Sequence, residues 1–252
     1  GLAAAWNPNS NGNVASMAML GGTLYIAGSF NTLNGATTRN RIAALDTGTG
    51  TATVWNPNAD NAVNSIVATG NSIIAGGFFT NIGGAVRSRL AEIDVLGNAT
   101  SWDPNINSPV NTIALYGNIV YAGGSFTSVN GGTPRNRIAS WDITSGNAPT
   151  TWNPNSNNTV YGLAVDPSGA TIYVGGDFTN IGPQSRTAFA ALETWSNNAT
   201  SLAAGATFSA FGGLTRISNF ALYGSTLYCA GSFLHSPTPM LTNMIGVNLS
   251  ND

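Results

Sequence analysis

The sequence predicts an all-β chain built as a five-bladed β-propeller, and three observations carry that prediction. The first is a tetrapeptide that returns. Trp6-Asn7-Pro8-Asn9 recurs as Trp55-Asn56-Pro57-Asn58, Trp102-Asp103-Pro104-Asn105 and Trp152-Asn153-Pro154-Asn155, at steps of 49, 47 and 50 residues, and one further step reaches Leu202 in a degraded copy. A fixed period of this length is the mark of a solenoid or propeller. The second is that short β-type runs follow one another about every ten residues, separated by Gly, Asn and Pro turns. The third is the count of four such runs per repeat, which is the content of one propeller blade. No stretch holds a helical period long enough to compete.

Within the first repeat, residues 14–20 (VASMAML) form the first predicted strand, closed by Gly21-Gly22. Residues 23–30 (TLYIAGSF) form the second, and residues 31–35 are read as a polar turn. Residues 41–46 (RIAALD) form the third strand and residues 51–55 (TATVW) the fourth. The repeats are placed at about 6–54, 55–101, 102–151, 152–201 and 202–252, all within one domain of residues 1–252. Along the first strands, Met17, Ile66, Ile113, Leu163 and Phe220 are large, while Ser16, Ser65, Thr112, Gly162 and Asn219 before them are small or polar. Adjacent strand residues face opposite ways, so each blade offers a bulky and a slim face, and neighbours can nest. The second strands end in a small or Gly pair followed by Phe30, Phe79, Phe126, Phe178 or Phe233. Gly inside a strand marks a bulge or a close backbone approach, and the Phe reads as core between blades. The last repeat lacks a fourth strand, and residues 2–6 (LAAAW) match the missing element, so the N-terminal strand is expected to complete the last blade and close the ring, removing open edges. A window cut from a longer array would show the same phase. A chain that starts at Gly1 is expected to be a processed or trimmed product.

The composition narrows the function classes. Charged residues are 7% of the chain, against roughly 25% in an average soluble domain. There is no Lys, the basic residues are all Arg, and the net charge is −2. A coat of Asn, Thr, Ser and Gly in place of charge suits a secreted or surface protein, so the expected location is extracellular, on a cell or a virion. No basic run offers a footprint for nucleic acid, and the longest apolar runs are too short to insert in a membrane. One cysteine, Cys229, allows no intrachain disulfide and no Cys-based zinc site, and its β-type context reads as a buried, inert thiol.

The cycle of hydrophobic strand, Gly-Gly-x-Phe-Thr, x-x-Gly, Arg-x-Arg-Ile-Ala, Leu-Asp and Trp-Asn-Pro-Asn resembles the delta-60 type of β-propeller repeat, similar in plan to kelch and galactose-oxidase propellers. The likeness is clearest over residues 6–194. In the fifth repeat Leu202 replaces Trp and no Arg precedes Met244, and the Tyr-to-Trp pairing of kelch repeats is missing from the linear pattern. The resemblance implies a secreted or surface-displayed propeller, often part of a longer protein, with no shared enzymatic activity.

Catalytic chemistry is not expected. The first strands hold no Asp, Glu, His, Lys or Arg near a channel mouth, and no carboxylate pair suits glycoside hydrolysis. Asp166 sits in a turn signal. The sole histidine, His235, reads as a surface loop residue; one His builds no copper or zinc site, and no Gly-x-Ser-x-Gly elbow partners it. No metal or cofactor is expected. The candidate ligand-binding residues are the repeated ones. Trp55, Trp102 and Trp152 stand at the crossings between blades, where packing is favoured over stacking on sugar rings. Arg39, Arg87, Arg135 and Arg186 precede the third strand, and Asp46, Asp94, Asp142 and Glu193 end it; this reads as scaffolding by planar guanidinium groups, with a ring that collects anionic sugars as the alternative. The expected function is a non-catalytic interaction or assembly module with a protein partner; the alternative is a multivalent carbohydrate-binding propeller.

Overall fold

A computed structural model describes residues 6–202, 214–235 and 240–249. Among these residues every regular element longer than a turn is a β-strand, and no helix is long and apolar enough to cross a membrane. The chain forms two compact parts, residues 1–113 with 129–132, and residues 114–128 with 133–252.

In the first part, strands Val14–Leu20, Thr23–Gly28 and Ile42–Asp46 form an antiparallel sheet in chain order, turned between its first two strands by Gly21 and Gly22, both at positive φ. Two such residues in succession match the twist of the flanking strands. Strands Val63–Ala68, Ser72–Gly77 and Leu90–Asp94 repeat the sheet. In the second part, Ile119–Gly124 pairs with Ile138–Asp142, and two more antiparallel sheets follow: Val160–Val165, Thr171–Gly176, Phe189–Glu193, then Leu214–Tyr223, Thr226–His235, Met240–Asn248.

The glycine pairs have two separate duties. The second Gly lies under a bulge in the first strand. The register slips between Val63 and Ser65, and the Ala62 carbonyl turns to accept the Phe78 N–H at 2.8 Å. A Cβ on Gly77 would overlap that carbonyl oxygen, and the same holds for Gly28 under Asn13, Gly176 under Thr159 and Gly231 under Arg216. The first Gly makes the slim face. A Cβ on Gly76 would meet Val110 Cγ1 at 2.6 Å and Ile113 Cδ1 at 2.8 Å, and one on Gly175 would meet Ile217 Cβ at 2.9 Å. Bulky therefore nests on slim, as the strand pattern predicts. Polar groups add to the nesting: the Ile66 N–H donates to Ser16 Oγ at 3.0 Å, and the Ile113 N–H to Ser65 Oγ at 3.1 Å. Phe30, Phe79, Phe126 and Phe178 are fully buried.

Several expectations change. The fourth strand shrinks to a single bridge, Leu45 to Ala52, Ile93 to Ala99 and Leu192 to Ala199. Its pairing stops because the next carbonyl outward, that of Thr53, accepts from the Arg39 guanidinium instead. The predicted polar turn holds a two-residue hairpin, Thr32–Leu33 with Thr37–Thr38, repeated as Asn81–Ile82 with Ala85–Val86 and Asn180–Ile181 with Gln184–Ser185. Its apolar member (Leu33, Ile82, Val129 or Ile181) is buried, so the segment is a small plug and not a solvated loop. His235 ends a strand, paired with Met240, where a loop is expected. Met17 is 65% exposed although Ile66, Ile113 and Leu163 at the matching positions are buried. Residues 2–5, the core of the expected closing strand, lie outside the described residues.

Gly77→Ala is expected to destabilise by about 2 kcal/mol or more, since the overlap is with backbone. Gly70→Ala, at an exposed turn with open space around its Cβ, should stay within about 0.5 kcal/mol of wild type. Urea unfolding of the two variants makes the comparison.

Candidate functional site

The repeated tryptophans are joints. Trp55, Trp102 and Trp152 are 4%, 4% and 6% exposed. Each backbone N–H donates to the hydroxyl of the threonine two residues before it, Thr53, Thr100 or Thr150, at 3.2–3.3 Å. Leu202 retains this bond, to Thr200 at 3.2 Å. The indole then spans two sheets. The Trp55 ring packs edge-on against Tyr25 of the sheet it leaves, centroids 4.9 Å apart, while its Nε1 donates to the Asp94 carbonyl of the next sheet at 2.9 Å. Trp152 does the same with Tyr121, at 5.3 Å, and the Glu193 carbonyl, at 2.9 Å. Tyr–Trp pairs absent from the linear pattern thus form in space. Buried this way, the three rings have no open face for a sugar.

The Asn-Pro-Asn that follows is a second clasp. The Pro carbonyl accepts from the tip of the small hairpin: Asn34 N–H to Pro8 at 2.7 Å, Gly83 to Pro57 at 2.7 Å, Asn130 to Pro104 at 2.6 Å, and Gly182 to Pro154. The second Asn (Asn9, Asn58, Asn105 or Asn155) takes positive φ, which Asn tolerates better than most side chains.

Arg39, Arg87, Arg135 and Arg186 share one geometry. One guanidinium nitrogen donates to the preceding carbonyl, of Thr38, Val86, Pro134 or Ser185, and the other to the carbonyl of Thr53, Thr100, Thr150 or Thr200. The fork staples the hairpin to the outer chain, and the guanidinium is committed to carbonyls, not presented to anions. The acids at the strand ends hold turns. Asp46 Oδ1 accepts from the Gly48 and Thr49 N–H groups at 3.0 and 2.7 Å, Asp94 Oδ1 from Leu96 and Asn98 at 2.9 and 2.8 Å, and Asp142 Oδ1 from the Thr144 N–H at 2.9 Å. Hydrogen bonds from Thr49 hold Asp46 below the usual carboxylate range, and those from Thr144 do so for Asp142. At Asp60, partial burial pushes the pKa up, but the Thr80 and Asn81 donors outweigh it and bring it to about 2.

Among the described residues the one ion pair is Arg216 with Asp177, bidentate at 2.8 Å, with the guanidinium 4.1 Å from the Tyr161 ring centre. No group of three or more His, Cys, Asp or Glu among them is placed to hold a metal. Cys229 is buried, and burial pushes its thiol up to about 12, far from a reactive thiolate.

What remains on the surface is where the repeat breaks its own pattern. Val54, Val86 and Leu96 are 97%, 68% and 78% exposed. They rim a groove of about 600 Å³ beside the second crossover, walled by Asn56, Pro57 and Asn58. The matching positions elsewhere are Ser101, Thr151 and Ser201; Thr38, Pro134 and Ser185; Gly48, Thr144 and Trp195. Sequence reasoning passed over this site because each residue is unremarkable alone; aligning the repeats on Trp, Arg and Asp brings out Val54, Val86 and Leu96 as apolar exceptions around one crossover.

No protein-family profile matches the chain, and no curated protein matches it. Solved structures do. The WD40 β-propeller domain of Doa1 is similar with a TM-score of 0.56 at 9% identity, over 95% of this chain and 70% of that one. A chain of the mitotic checkpoint complex is similar with a TM-score of 0.55 at 13% identity, over 99% and 73%. The computationally designed Ika8 protein is similar with a TM-score of 0.55 at 13% identity over 92% of this chain, and the match spans 61% of its own length. At these identities the likeness concerns the fold, which is of the β-propeller class.

Trp55→Phe keeps the edge-to-face contact and removes one of two hydrogen bonds to the Asp94 carbonyl, which still accepts the Gly97 N–H at 3.0 Å; the expected loss is about 0.5–1.5 kcal/mol, measured by urea unfolding. Asp46, Asp60 and Asp142 have folded pKa values below their unfolded ones. The stability they contribute is complete above about pH 4 and is lost as pH falls through each folded value, about 2 for Asp60. The urea midpoint should therefore fall between about pH 4 and pH 2. Asn11 and Asn157 make the same bonds uncharged, to the N–H groups of Asn31 and Thr32 and of Thr179 and Asn180, so Asp60→Asn should fold and show a shallower fall.

Proposed function

We propose that this chain is a non-catalytic interaction module of the β-propeller class, displayed outside the cell and docking a protein partner through the groove beside Val54, Val86 and Leu96. The observation that carries the reading is that groove: three large apolar side chains held in solvent, on a chain whose repeated Trp, Arg and Asp are all occupied by scaffold contacts. The groove is uncharged apart from its distant neighbours, and its Asn56 and Asn58 amides suit the main chain of an extended, apolar segment. The propeller-like chain of the mitotic checkpoint complex supports such a role by analogy, since its structure is that of an assembly. The low charge and the absence of Lys support the extracellular location.

The same proposal includes a division of the chain into five blades, one for each copy of the repeat. One observation supports it. The fifth sheet keeps the repeat's register, Ile217 opposite Gly231 as Val14 is opposite Gly28.

A random peptide library displayed on phage, selected on the full chain, is expected to converge on an apolar motif that Val54→Ser/Val86→Ser/Leu96→Ser no longer retains. Failure to converge, or equal retention by the folded triple variant, would count against docking at this groove.

A further inference from the structure

We infer that the turn at Trp195 and the depression beside it form a binding site for a neutral carbohydrate. Of the six tryptophans, Trp55, Trp102, Trp141 and Trp152 are buried and Trp6 is half-buried, whereas Trp195 is 69% exposed. Its counterparts in the other repeats are Gly48, Leu96 and Thr144, so the fold does not require an indole there. The turn that carries it is nonetheless firmly held. The Thr194 N–H donates to the Ala170 carbonyl at 3.1 Å and its hydroxyl to the Gly169 carbonyl at 2.7 Å; the Ser196 hydroxyl donates to the Glu193 carboxylate at 2.5 Å. Asn197 Oδ1 accepts the Asn153 N–H at 2.7 Å. An exposed ring on a turn fixed at four points loses little freedom when a ligand stacks on it.

The depression has a volume of about 380 Å³, within the usual range of roughly 300–1,000 Å³ for small-molecule sites. Its lining is polar and uncharged, with the hydroxyls of Tyr121, Ser140, Thr150 and Thr151 and the Asn197 amide; Ser140 and Thr150 are bonded to each other at 2.6 Å, and no charged side chain is present. Asn197 spends its oxygen on the Asn153 N–H. An apolar ring face next to a set of neutral donors and acceptors matches a pyranose, which has an apolar C–H face and a hydroxyl edge. A phosphate or carboxylate ligand would find no counter-charge in this lining. The site is separate from the Val54 groove and does not rest on the docking role proposed for it.

The test uses the full chain and a panel of methyl glycosides of glucose, galactose, mannose and N-acetylglucosamine with their disaccharides, read by saturation-transfer NMR and tryptophan fluorescence. At least one neutral sugar is expected to bind. Trp195→Ala should weaken it by about tenfold or more, and Trp195→Phe should stay within about threefold. Circular dichroism checks that both variants fold, and the Val54→Ser/Val86→Ser/Leu96→Ser variant should bind the sugar like wild type. Binding of no sugar in the panel, binding that Trp195→Ala leaves unchanged, or loss of a selected peptide in place of a sugar would overturn the assignment.

Discussion

The indole of each crossover tryptophan belongs to two sheets at once. Trp55 lies edge-on to Tyr25 and hydrogen-bonds beyond it to the Asp94 carbonyl; Trp152 repeats this with Tyr121 and Glu193. The rest of the scaffold depends on that bond, because it fixes the end of a third strand against the crossover that opens the same repeat. Once the ring is seated, the Pro carbonyl after it meets the hairpin tip, and the hairpin in turn buries Leu33, Ile82, Val129 or Ile181. An edge-to-face aromatic pair adds about 0.5–1.5 kcal/mol beyond its buried area. The directional N–H···O bond contributes register more than energy.

A cost accompanies this geometry. Arg41, Arg89 and Arg137 sit at positive φ, between 64° and 70°, a conformation that costs a non-glycine residue roughly 1–2 kcal/mol. Glycine would relieve the strain but would carry no guanidinium. Arg89 donates to the carbonyls of Phe78 and Phe79, and Arg41 reaches the Ala59 carbonyl at 3.5 Å. In the fourth repeat Ala188 holds the same backbone, at φ 58°, without any such bond from its side chain. That repeat bears the strain without the compensation, just before the repeat where the tryptophan itself is lost.

Much of this was legible in one dimension, for physical reasons. The Trp tetrapeptide and the Gly pair recur because a joint and a bulge tolerate few substitutes, so Trp55 and Gly77 announce themselves. The hairpins were not legible, since two-residue strands such as Asn81–Ile82 are too short for alternation to register. The reduced fourth strand was hidden because TATV reads as β by composition, and only the position of Arg39 reveals that its carbonyl is taken. The tryptophans and arginines looked alike as scaffold or as ligand sites; burial of Trp55, Trp102 and Trp152 and the twin carbonyl bonds of each Arg separate the two. The surface sites lie in departures from the repeat, at Val54, Val86, Leu96 and Trp195, and a periodic pattern draws the eye away from its exceptions.

The hydroxyl that holds the Leu202 N–H, from Thr200, is the same one that holds Trp55, Trp102 and Trp152 in their turns. These four junctions therefore begin with the same backbone lead-in, whatever side chain comes next. In the gene, this makes the junction a seam: recombination between neighbouring copies of these four, 47–50 codons apart, joins an accepting threonine to a donating turn in phase. Copies can be gained, lost or exchanged without rewriting the joint, and a single copy is then free to accumulate the side chains that give its surface an identity of its own.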